Sequence, residues 1–281
     1  MGKTIITAAI NGSRVMKTMN QNVPVSVEEI VEDAYQCFLS GASIIHIHAR
    51  QHVSSLPIID LDLFNEIKSK IREKCDVILN FSTSGEMNGI HDLKVIGSLD
   101  STQSKRIEVL ASFPDIATID LSTTNFGDRI FLNPTPFLNH LLEKMVSHHI
   151  KPEFEIFNPG DIEFAKKLIA QYQVEQPPLF QFALGLQGGV EATVEDLLFL
   201  KNKLPPDAIW TAFGISKNHM KILYATLAAG GHVRVGLEDN LYYQKGCLTN
   251  NVELVKRASR VIREFGNEVA SVQETKAILK L

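Results

Sequence analysis

Eight short runs of apolar and β-branched residues recur along the chain at intervals of roughly 30 residues, and helical patterns lie between them. This alternation is typical of parallel strands joined by crossover helices. A doubly wound sheet would more often have fewer strands and a glycine-rich phosphate turn after the first one, which this sequence lacks. Eight βα units in a chain of 281 residues therefore predict an α/β fold, a (β/α)8 TIM barrel, forming a single domain over residues 1–281. The predicted strands are Thr4–Ala9, Ile44–Ala49, Val77–Phe81, Ala117–Leu121, Glu153–Phe157, Leu179–Leu184, Ile209–Phe213 and Val233–Leu237.

Several helix starts carry capping signals. Ser26-Val-Glu-Glu29 has the spacing of a capping box, and Ser271-Val-Gln-Glu274 repeats it near the end of the chain. Thr193 lies three residues before an acidic side chain in the same way. Asn250 or Asn251 is expected to cap the helix that follows the eighth strand.

Composition excludes several classes of partner. The net charge is −4, and lysine and arginine are scattered rather than clustered, so nucleic acid is not an expected ligand. No stretch reaches the ~18 apolar residues of a membrane span, and the first ten residues lack the features of a secretory signal. We therefore expect no membrane association and a cytoplasmic location. The three cysteines are odd in number and lack CxxC spacing, which argues against a disulfide framework and a thiolate metal site.

The second predicted strand contains the motif His46-Ile-His48. Residues two apart on a strand project from the same face, so the two imidazoles can chelate one metal ion. The alternative is that both histidines are hydrogen-bonded core groups. Their position at the C-terminal end of a barrel strand, where the active sites of this fold lie, favours the metal.

The eighth predicted strand ends in a dense group of charges. Arg234, Glu238 and Asp239 would be costly to bury without partners. A carboxylate here can reach the strand-two histidines across the barrel mouth, and Glu238 suits this role because it shares a face with Arg234. Two histidines and one carboxylate with open positions suit zinc first, and Mn or Fe(II) also fit. The alternative is a salt-bridge cluster that closes the barrel between strands eight and one.

Six segments, in order over nearly the whole chain, resemble those of the β-keto acid cleavage enzymes: ITAAINGS, IIHIHAR, NFSTSG, NFGDR, QFALGLQGG and GGHVRVGLEDNLY. The resemblance implies a TIM barrel, one zinc ion per chain and a homo-oligomer, either a tetramer or a dimer. It also implies a reaction in which a β-keto acid and acetyl-CoA, a co-substrate, give acetoacetate and the CoA ester of the remaining acyl group.

The resemblance assigns roles to individual residues. Asp239, oriented by Arg234, is implied to be the general base, and the hydroxyl of Ser82 is implied to bind the substrate carboxylate or a developing oxyanion. Ser82 lies in a Ser-Thr-Ser-Gly run, so a turn role is its alternative. The implied metal ligands are His46, His48 and Glu238.

Two positions depart from the family pattern. The branch of the family that acts on amino substrates has a glutamate near strand one that binds the substrate's ammonium group, and this chain has Arg14 there. A reversed charge predicts a substrate whose distal end is not cationic and can carry a carboxylate. The alternative is an arginine that extends into solvent from the loop. The second departure is on strand four, where Asp120 or Ser122 is a candidate for shaping the acyl end of the site.

Two other functions fit the same motifs. A metal-dependent barrel hydrolase of the amidohydrolase type also uses HxH, but it usually needs further histidines, and strands five and six offer none. A metal-storing module would not need an Arg/Asp pair beside the metal. Lys217 and Arg106 are candidate phosphate partners for CoA, although both are expected to be solvated. At least one of Glu153 and Glu155 is expected to point into the barrel mouth.

Overall fold

The computed structural model describes residues 2–51, 54–85, 101–126 and 129–281, and at its centre eight parallel strands close into a barrel. Each barrel strand is hydrogen-bonded to the next along the chain, and the eighth closes on the first with Val233 opposite Ile6. The predicted TIM barrel is confirmed, and every predicted strand is present with its ends displaced by two residues at most. The strands are β1 Ile6–Ala9, β2 Ile44–Ile47, β3 Ile78–Phe81, β4 Ile116–Asp120, β5 Lys151–Ile156, β6 Leu179–Leu184, β7 Ile209–Gly214 and β8 His232–Val235.

A helix follows each barrel strand and packs on the outside of the barrel. Short strand pairs lie outside it, joining Lys3–Thr4 to Glu268–Val269, Thr124–Phe126 to Arg129–Phe131, and Tyr242–Gln244 to Cys247–Leu248. Short 3-10 helices lie at Val109–Ser112 and Ser216–Asn218. The helices are α1 Val27–Leu39, α2 Leu61–Lys74, α3 Ser101–Glu108, α4 Thr135–Ser147, α5 Pro159–Tyr172, α6 Val194–Lys201, α7 His219–Ala228, α8 Asn251–Glu264 and the terminal α9 Val272–Leu279.

The capping signals act as expected. The Ser26 hydroxyl accepts from the Glu29 backbone N–H at 3.2 Å, and the Glu29 carboxylate accepts from the Ser26 N–H at 3.1 Å. Asn250 caps α8 by accepting from the Glu253 N–H at 2.8 Å. These caps satisfy N–H groups that a helix cannot satisfy internally, so the helix starts could be located from sequence.

The two ends of the barrel differ in chemistry. At the N-terminal end, the first residues of several strands form an apolar cluster that includes Ile44, Ile78 and Ile116, and Leu279 of α9 packs against it. This cluster closes the barrel from below, so polar and charged interior groups concentrate toward the C-terminal end. In the part of the chain that the structure describes, no helix combines the length and the apolar character that crossing a bilayer requires.

A largely buried carboxyl group, Asp33 of α1, connects that helix to the barrel. The side-chain N–H groups of Asn251 donate to the Asp33 carboxyl at 2.5 Å and to the Ile10 carbonyl at 2.8 Å, and its oxygen accepts from the Leu237 N–H at 2.7 Å. Ile10 follows β1 and Leu237 immediately precedes Glu238. The Asp33–Asn251 pair therefore holds together the segments that follow β1 and β8, which lead to Arg14 and Glu238.

This carboxyl should make stability depend on pH. Burial raises the pKa of Asp33 from 3.8 to about 7, against the Asn251 hydrogen bond and with a small addition from Glu32. Because the folded state then binds more protons than the unfolded chain between those values, the stability from this group is lost as pH rises through that window. Asp33→Asn should gain stability relative to the parent protein by about 3 kcal/mol between roughly pH 4.5 and pH 8.

Denaturant unfolding at several pH values measures this difference. Glu32→Gln on the same helix is the matched control, because Glu32 is exposed and its pKa is lowered by Lys74, so no such gain is expected. If the free energies of unfolding of Asp33→Asn and the parent differed by the same amount at every pH, the raised pKa of Asp33 would be contradicted.

Candidate active site

A cavity of about 480 Å³ opens at the C-terminal end of the barrel. The eight residues predicted from sequence to bind the metal, to bind the substrate or to act in catalysis all line it. They come from the ends of β2, β3, β4 and β8 and from the loop after β1, which is the arrangement that TIM-barrel active sites share. The eight are Arg14, His46, His48, Ser82, Asp120, Arg234, Glu238 and Asp239.

Three of these side chains converge on one point. The Nε2 atoms of His46 and His48 lie 3.1 Å apart. Oε2 of Glu238 lies 3.5 Å from His46 Nε2, and Oε1 lies 3.4 Å from His48 Nε2. We call these three residues the metal trio, because their nitrogen and oxygen atoms are the donor types that divalent transition metals prefer.

The chemistry of the metal trio fits a cation. Burial lowers the pKa of His46 to about 3, so its imidazole is neutral and offers a lone pair. Among the described residues, Oε2 of Glu238 and the Nδ1 atoms of both histidines are buried without a hydrogen-bond partner. Oε2 faces His46 Nε2, and a buried carboxylate oxygen that lacks a donor is costly unless a positive ion satisfies it. Histidines that served only as core groups would be hydrogen-bonded at Nδ1.

Backbone contacts hold the metal trio in place. Asn11 clamps the main chain of His48, donating to its carbonyl at 2.9 Å and accepting from its N–H at 3.0 Å. The Glu238 N–H donates to the Ala9 carbonyl at 3.2 Å. Gly236 permits this approach, because it has φ +153° and a Cβ there would lie 2.6 Å from the Ala9 carbonyl carbon. Our sequence analysis missed Asn11, although its place directly after a buried strand was a usable signal.

Arg50, which was part of the IIHIHAR segment but was given no role from sequence, is buried beside the site. Its guanidinium donates to the carbonyls of Asn11 at 3.0 Å and Val15 at 2.6 Å, and also to that of Gly12. These groups belong to the loop after β1 that carries Arg14. The Arg50 side chain therefore holds the backbone of this loop, and the Arg14 side chain on the loop lines the cavity.

Arg234 and Asp239 form a buried ion pair beside the metal trio. The Arg234 guanidinium donates to both oxygens of Asp239 at 2.9 and 3.0 Å, and it lies 2.9 Å from Glu238 Oε1. It also rests on the ring of Phe213, 4.2 Å from its centroid. A salt-bridge cluster that only closed the barrel between strands eight and one would also contain these ion pairs. Here the ion pairs line the cavity, where a substrate can reach them.

The neighbouring carboxylates Glu238 and Asp239 differ in their affinity for protons. Burial raises the pKa of both, but Arg234 and the two histidines outweigh it at Glu238, whose pKa lies well below its usual value. At Asp239 burial prevails over Arg234 and raises the pKa to about 7. Glu238 is thus suited to remain an ionised ligand, whereas Asp239 is suited to exchange a proton near neutrality.

Asp120 and Glu155 form a second acidic pair in the cavity. They are opposite each other in the β4–β5 register. Burial raises the pKa of Glu155 well above its usual value, and Asp120 raises it further. Glu155 lines the cavity as expected for one member of the strand-five pair, while Glu153 lies deeper and is fully buried.

The remaining candidates have mixed environments. Ser82 lines the cavity, and its hydroxyl also accepts from the Ser84 N–H at 3.1 Å, so it takes part in a turn. Arg14 lines the cavity from the loop and is exposed. Lys217 is exposed, as expected.

The expectation for Arg106 was wrong, because Arg106 is buried. It donates to the Thr83 carbonyl at 2.8 Å, to the Leu132 carbonyl at 2.9 Å and to the Asn133 side chain at 2.8 Å. Its guanidinium also lies over the Phe137 ring. Arg106 therefore joins two loops of the protein and is neither a solvated side chain nor a phosphate partner.

Comparisons with known proteins agree with this geometry. A family model described as beta-keto acid cleavage enzyme matches residues 3–281. A 3-keto-5-aminohexanoate cleavage enzyme from Fusobacterium nucleatum is 38% identical over 284 residues, covering 100% of this chain and 99% of that protein. A 3-oxoadipate:acetyl-CoA acetyltransferase from Cupriavidus necator is 30% identical over 281 residues, covering 99% of this chain and 94% of that protein.

A solved structure supports the fold. The ternary complex of ObcA with a C4-CoA adduct and oxalate superposes with a TM-score of 0.75 at 18% identity, covering 92% of this chain and 68% of that one. The amidohydrolase alternative is not supported, because the matches above are to cleavage enzymes and acetyl-CoA transferases. Among the described residues, moreover, the cavity lining has no histidine beyond the two on β2.

Proposed function

Because this chain belongs to the family of β-keto acid cleavage enzymes, we propose that it condenses a β-keto acid with acetyl-CoA to give acetoacetate and the CoA ester of the remaining acyl group. The observation that carries the proposal is one cavity that combines the metal trio with the Arg234–Asp239 pair. The trio suits a chelating keto acid, and the pair suits a proton transfer beside it. A metal-storing module would need only the metal trio.

The proposed products define which bonds change. Acetoacetate contains the carboxylate and C2 of the keto acid together with the acetyl group of acetyl-CoA. A bond must therefore form between C2 and the acetyl carbonyl carbon as the thioester C–S bond of acetyl-CoA breaks. The C2–C3 bond must then break as the released CoA sulfur bonds to C3. C2 loses a proton before it bonds to the acetyl carbon, and it regains one when the C2–C3 bond breaks. The reaction therefore needs a group that accepts and returns a proton.

His46, His48 and Glu238 would hold one divalent metal ion, zinc by preference, with positions open for the substrate. When bound, the ion would act as a Lewis acid toward the keto and carboxylate oxygens of the β-keto acid. The low pKa of Glu238 keeps a negative charge at this position at neutral pH. The site then has one anionic and two neutral ligands, which leaves net positive charge for an anionic substrate.

Asp239 is the proposed general base that accepts the C2 proton and later returns it. Its pKa of about 7 matches a group that must do both near neutrality. Arg234 holds both carboxylate oxygens, so it orients the base and stabilises its charged form. Ser82 is proposed to donate to the substrate carboxylate or to an oxyanion, and Asp120 to contact the acyl end; both side chains line the cavity.

Metal analysis followed by an assay for acetoacetate tests the proposal. Purified protein would be incubated with acetyl-CoA and a panel of neutral, cationic and anionic β-keto acids. We expect a stoichiometric divalent metal and acetoacetate from at least one acid. No turnover of any acid by zinc-loaded protein would contradict the proposal, and product release without CoA would indicate a hydrolase instead.

The charge of Arg14 should select the substrate. Arg14 lines the cavity, and its loop is held by Arg50, so a positive charge faces the bound acid. Arg14→Glu is expected to lower kcat/KM for a β-keto diacid about 100-fold, since a lost charge-assisted contact and a new repulsion each cost more than 1 kcal/mol. Turnover of an amino β-keto acid should rise.

The matched control for Arg14→Glu is Lys17→Glu. Lys17 lies on the same loop but outside the cavity lining, where it pairs with Glu29 at 2.6 Å. Lys17→Glu also reverses a charge, and it should leave unchanged the ratio between turnover of the β-keto diacid and turnover of the amino β-keto acid. Unaltered diacid turnover in Arg14→Glu would show that Arg14 does not face the substrate.

We also propose a single-domain protein that works in the cytoplasm as a homo-oligomer, a tetramer or a dimer. Apolar side chains on the outer face of α6 support an assembly, since Leu198 is 40% exposed and Phe199 is 50% exposed. Light scattering coupled to size exclusion would measure the number of chains. A monomer at micromolar concentration would contradict this part of the proposal.

A further inference from the structure

A chain of buried polar side chains crosses the barrel interior next to the metal trio. Asn80 on β3, Glu153 on β5 and Gln181 on β6 are all fully buried. Glu153 Oε2 accepts from Asn80 Nδ2 at 2.6 Å and from Gln181 Nε2 at 3.2 Å. Buried polar groups of this kind are retained at a cost, so their partners indicate what they hold in place.

The hydrogen bonds determine which way the Asn80 amide points. Gln181 Nε2 faces two carboxyl groups, those of Glu153 and Glu155, each at 3.2 Å, so this atom is the donor and Glu153 Oε2 is an acceptor. Asn80 must therefore turn its NH2 group toward Glu153. Its carbonyl oxygen Oδ1, on the other side of the amide from Glu153, is buried and has no hydrogen-bond partner among the residues that the structure describes.

The neighbour of Asn80 across the sheet is His46. The two residues are paired in the parallel β2–β3 register, and both face the barrel interior, where their side-chain contacts lie. His46 presents Nε2 to the metal trio, so a neutral imidazole carries its proton on Nδ1. The Asn80 side chain raises the pKa of His46, although burial has the larger and opposite effect. Nδ1 of His46 and Oδ1 of Asn80 thus offer one buried donor and one buried acceptor, and neither has another partner in the described part of the chain.

We propose that Asn80, oriented by Glu153, is a positioning residue that accepts the Nδ1 proton of His46 and keeps Nε2 free to bind the metal. The inference rests on the proposed metal site and assigns a role to residues outside it. In a metal-binding histidine, the group that is hydrogen-bonded to the other ring nitrogen sets the tautomer and the ring orientation. Loss of that group typically lowers metal affinity. Glu153 acts one step further away, by preventing the Asn80 amide from turning over.

Asn80→Leu tests the proposal, because leucine has nearly the same shape and cannot accept a hydrogen bond. Zinc affinity would be measured by competition with a chelating dye, and the stability of the metal-free protein by denaturant unfolding. We expect affinity to fall about 10- to 100-fold. Gln181→Met is the matched control, since it removes a buried amide from the same Glu153 oxygen without facing His46. It should destabilise the protein to a similar extent and leave zinc affinity nearly unchanged.

Unchanged zinc affinity in Asn80→Leu, or a loss no greater than that in Gln181→Met, would overturn the inference while leaving the proposed function intact. Failure of the parent protein to bind zinc would instead contradict the proposed metal site. If Asn80→Leu does not fold, nitrogen NMR of histidine-labelled, zinc-loaded parent protein decides the matter. A slowly exchanging Nδ1 proton on His46 is expected, and an unprotonated or rapidly exchanging Nδ1 would overturn the assignment.

Discussion

His48→Ala is expected to abolish metal binding and, with it, the condensation of the β-keto acid with acetyl-CoA. Among the described residues, His48 supplies one of the three converging metal-ligand atoms, 3.4 Å from Glu238 Oε1 and 3.1 Å from the His46 nitrogen. Two remaining ligands bind a divalent ion too weakly to keep it through purification. Because Lewis-acid stabilisation contributes several kcal/mol and each 1.4 kcal/mol is tenfold in rate, kcat/KM should fall by about 1000-fold or more.

The measurements are metal content after dialysis and acetoacetate formation. His232→Asn is the matched control, since His232 is another histidine of a barrel strand but lies at the opposite end of its strand, where its Nδ1 accepts from the Ile5 N–H at 3.1 Å. An asparagine oxygen can replace that acceptor, so metal content and turnover should persist. Full activity in metal-free His48→Ala would show that the reaction does not need the metal trio.

The barrel could be predicted because its determinants are local. Strands buried on both faces read as short apolar runs, and the Ser26 and Ser271 capping boxes mark helix starts within four residues of sequence. The errors at strand ends have the same origin. Residues such as Ala49 and Leu237 continue an apolar run after the ladder of hydrogen bonds has ended, because they pack in the loops at the barrel mouth.

The site was only partly predictable, because its supporting contacts join distant parts of the chain. His46 and His48 could be predicted because they are two residues apart on a strand, and Glu238 because it is a charged residue at a strand end. Asn80 resembles any polar residue in a buried strand until the sheet places Glu153 opposite its amide. Arg106 had a misleading sequence context, since no local pattern shows that a charged helix residue will be enclosed by the carbonyls of two loops.

Asp239→Asn separates proton transfer from metal binding, and it is the second large effect that we expect. Asparagine keeps the shape of the side chain and an oxygen for the Arg234 guanidinium, but it cannot accept a proton from C2 of the keto acid. Turnover should fall about 100- to 10,000-fold, the range that general bases contribute, while KM changes little. Zinc content should stay at the parent level, since the ligating carboxylate is Glu238.

The contrast between the two variants is what identifies the base. His48→Ala should lose metal and turnover together, whereas Asp239→Asn should lose turnover alone. Arg234→Lys provides an intermediate case, because lysine keeps the positive charge but cannot hold both oxygens of Asp239, so a smaller loss in kcat is expected. If Asp239→Asn lost its zinc in parallel with its activity, the buried Arg234–Asp239 pair would be a support of the metal trio, and the base would have to be sought among the other carboxyl groups of the cavity, with Glu155 the first to test.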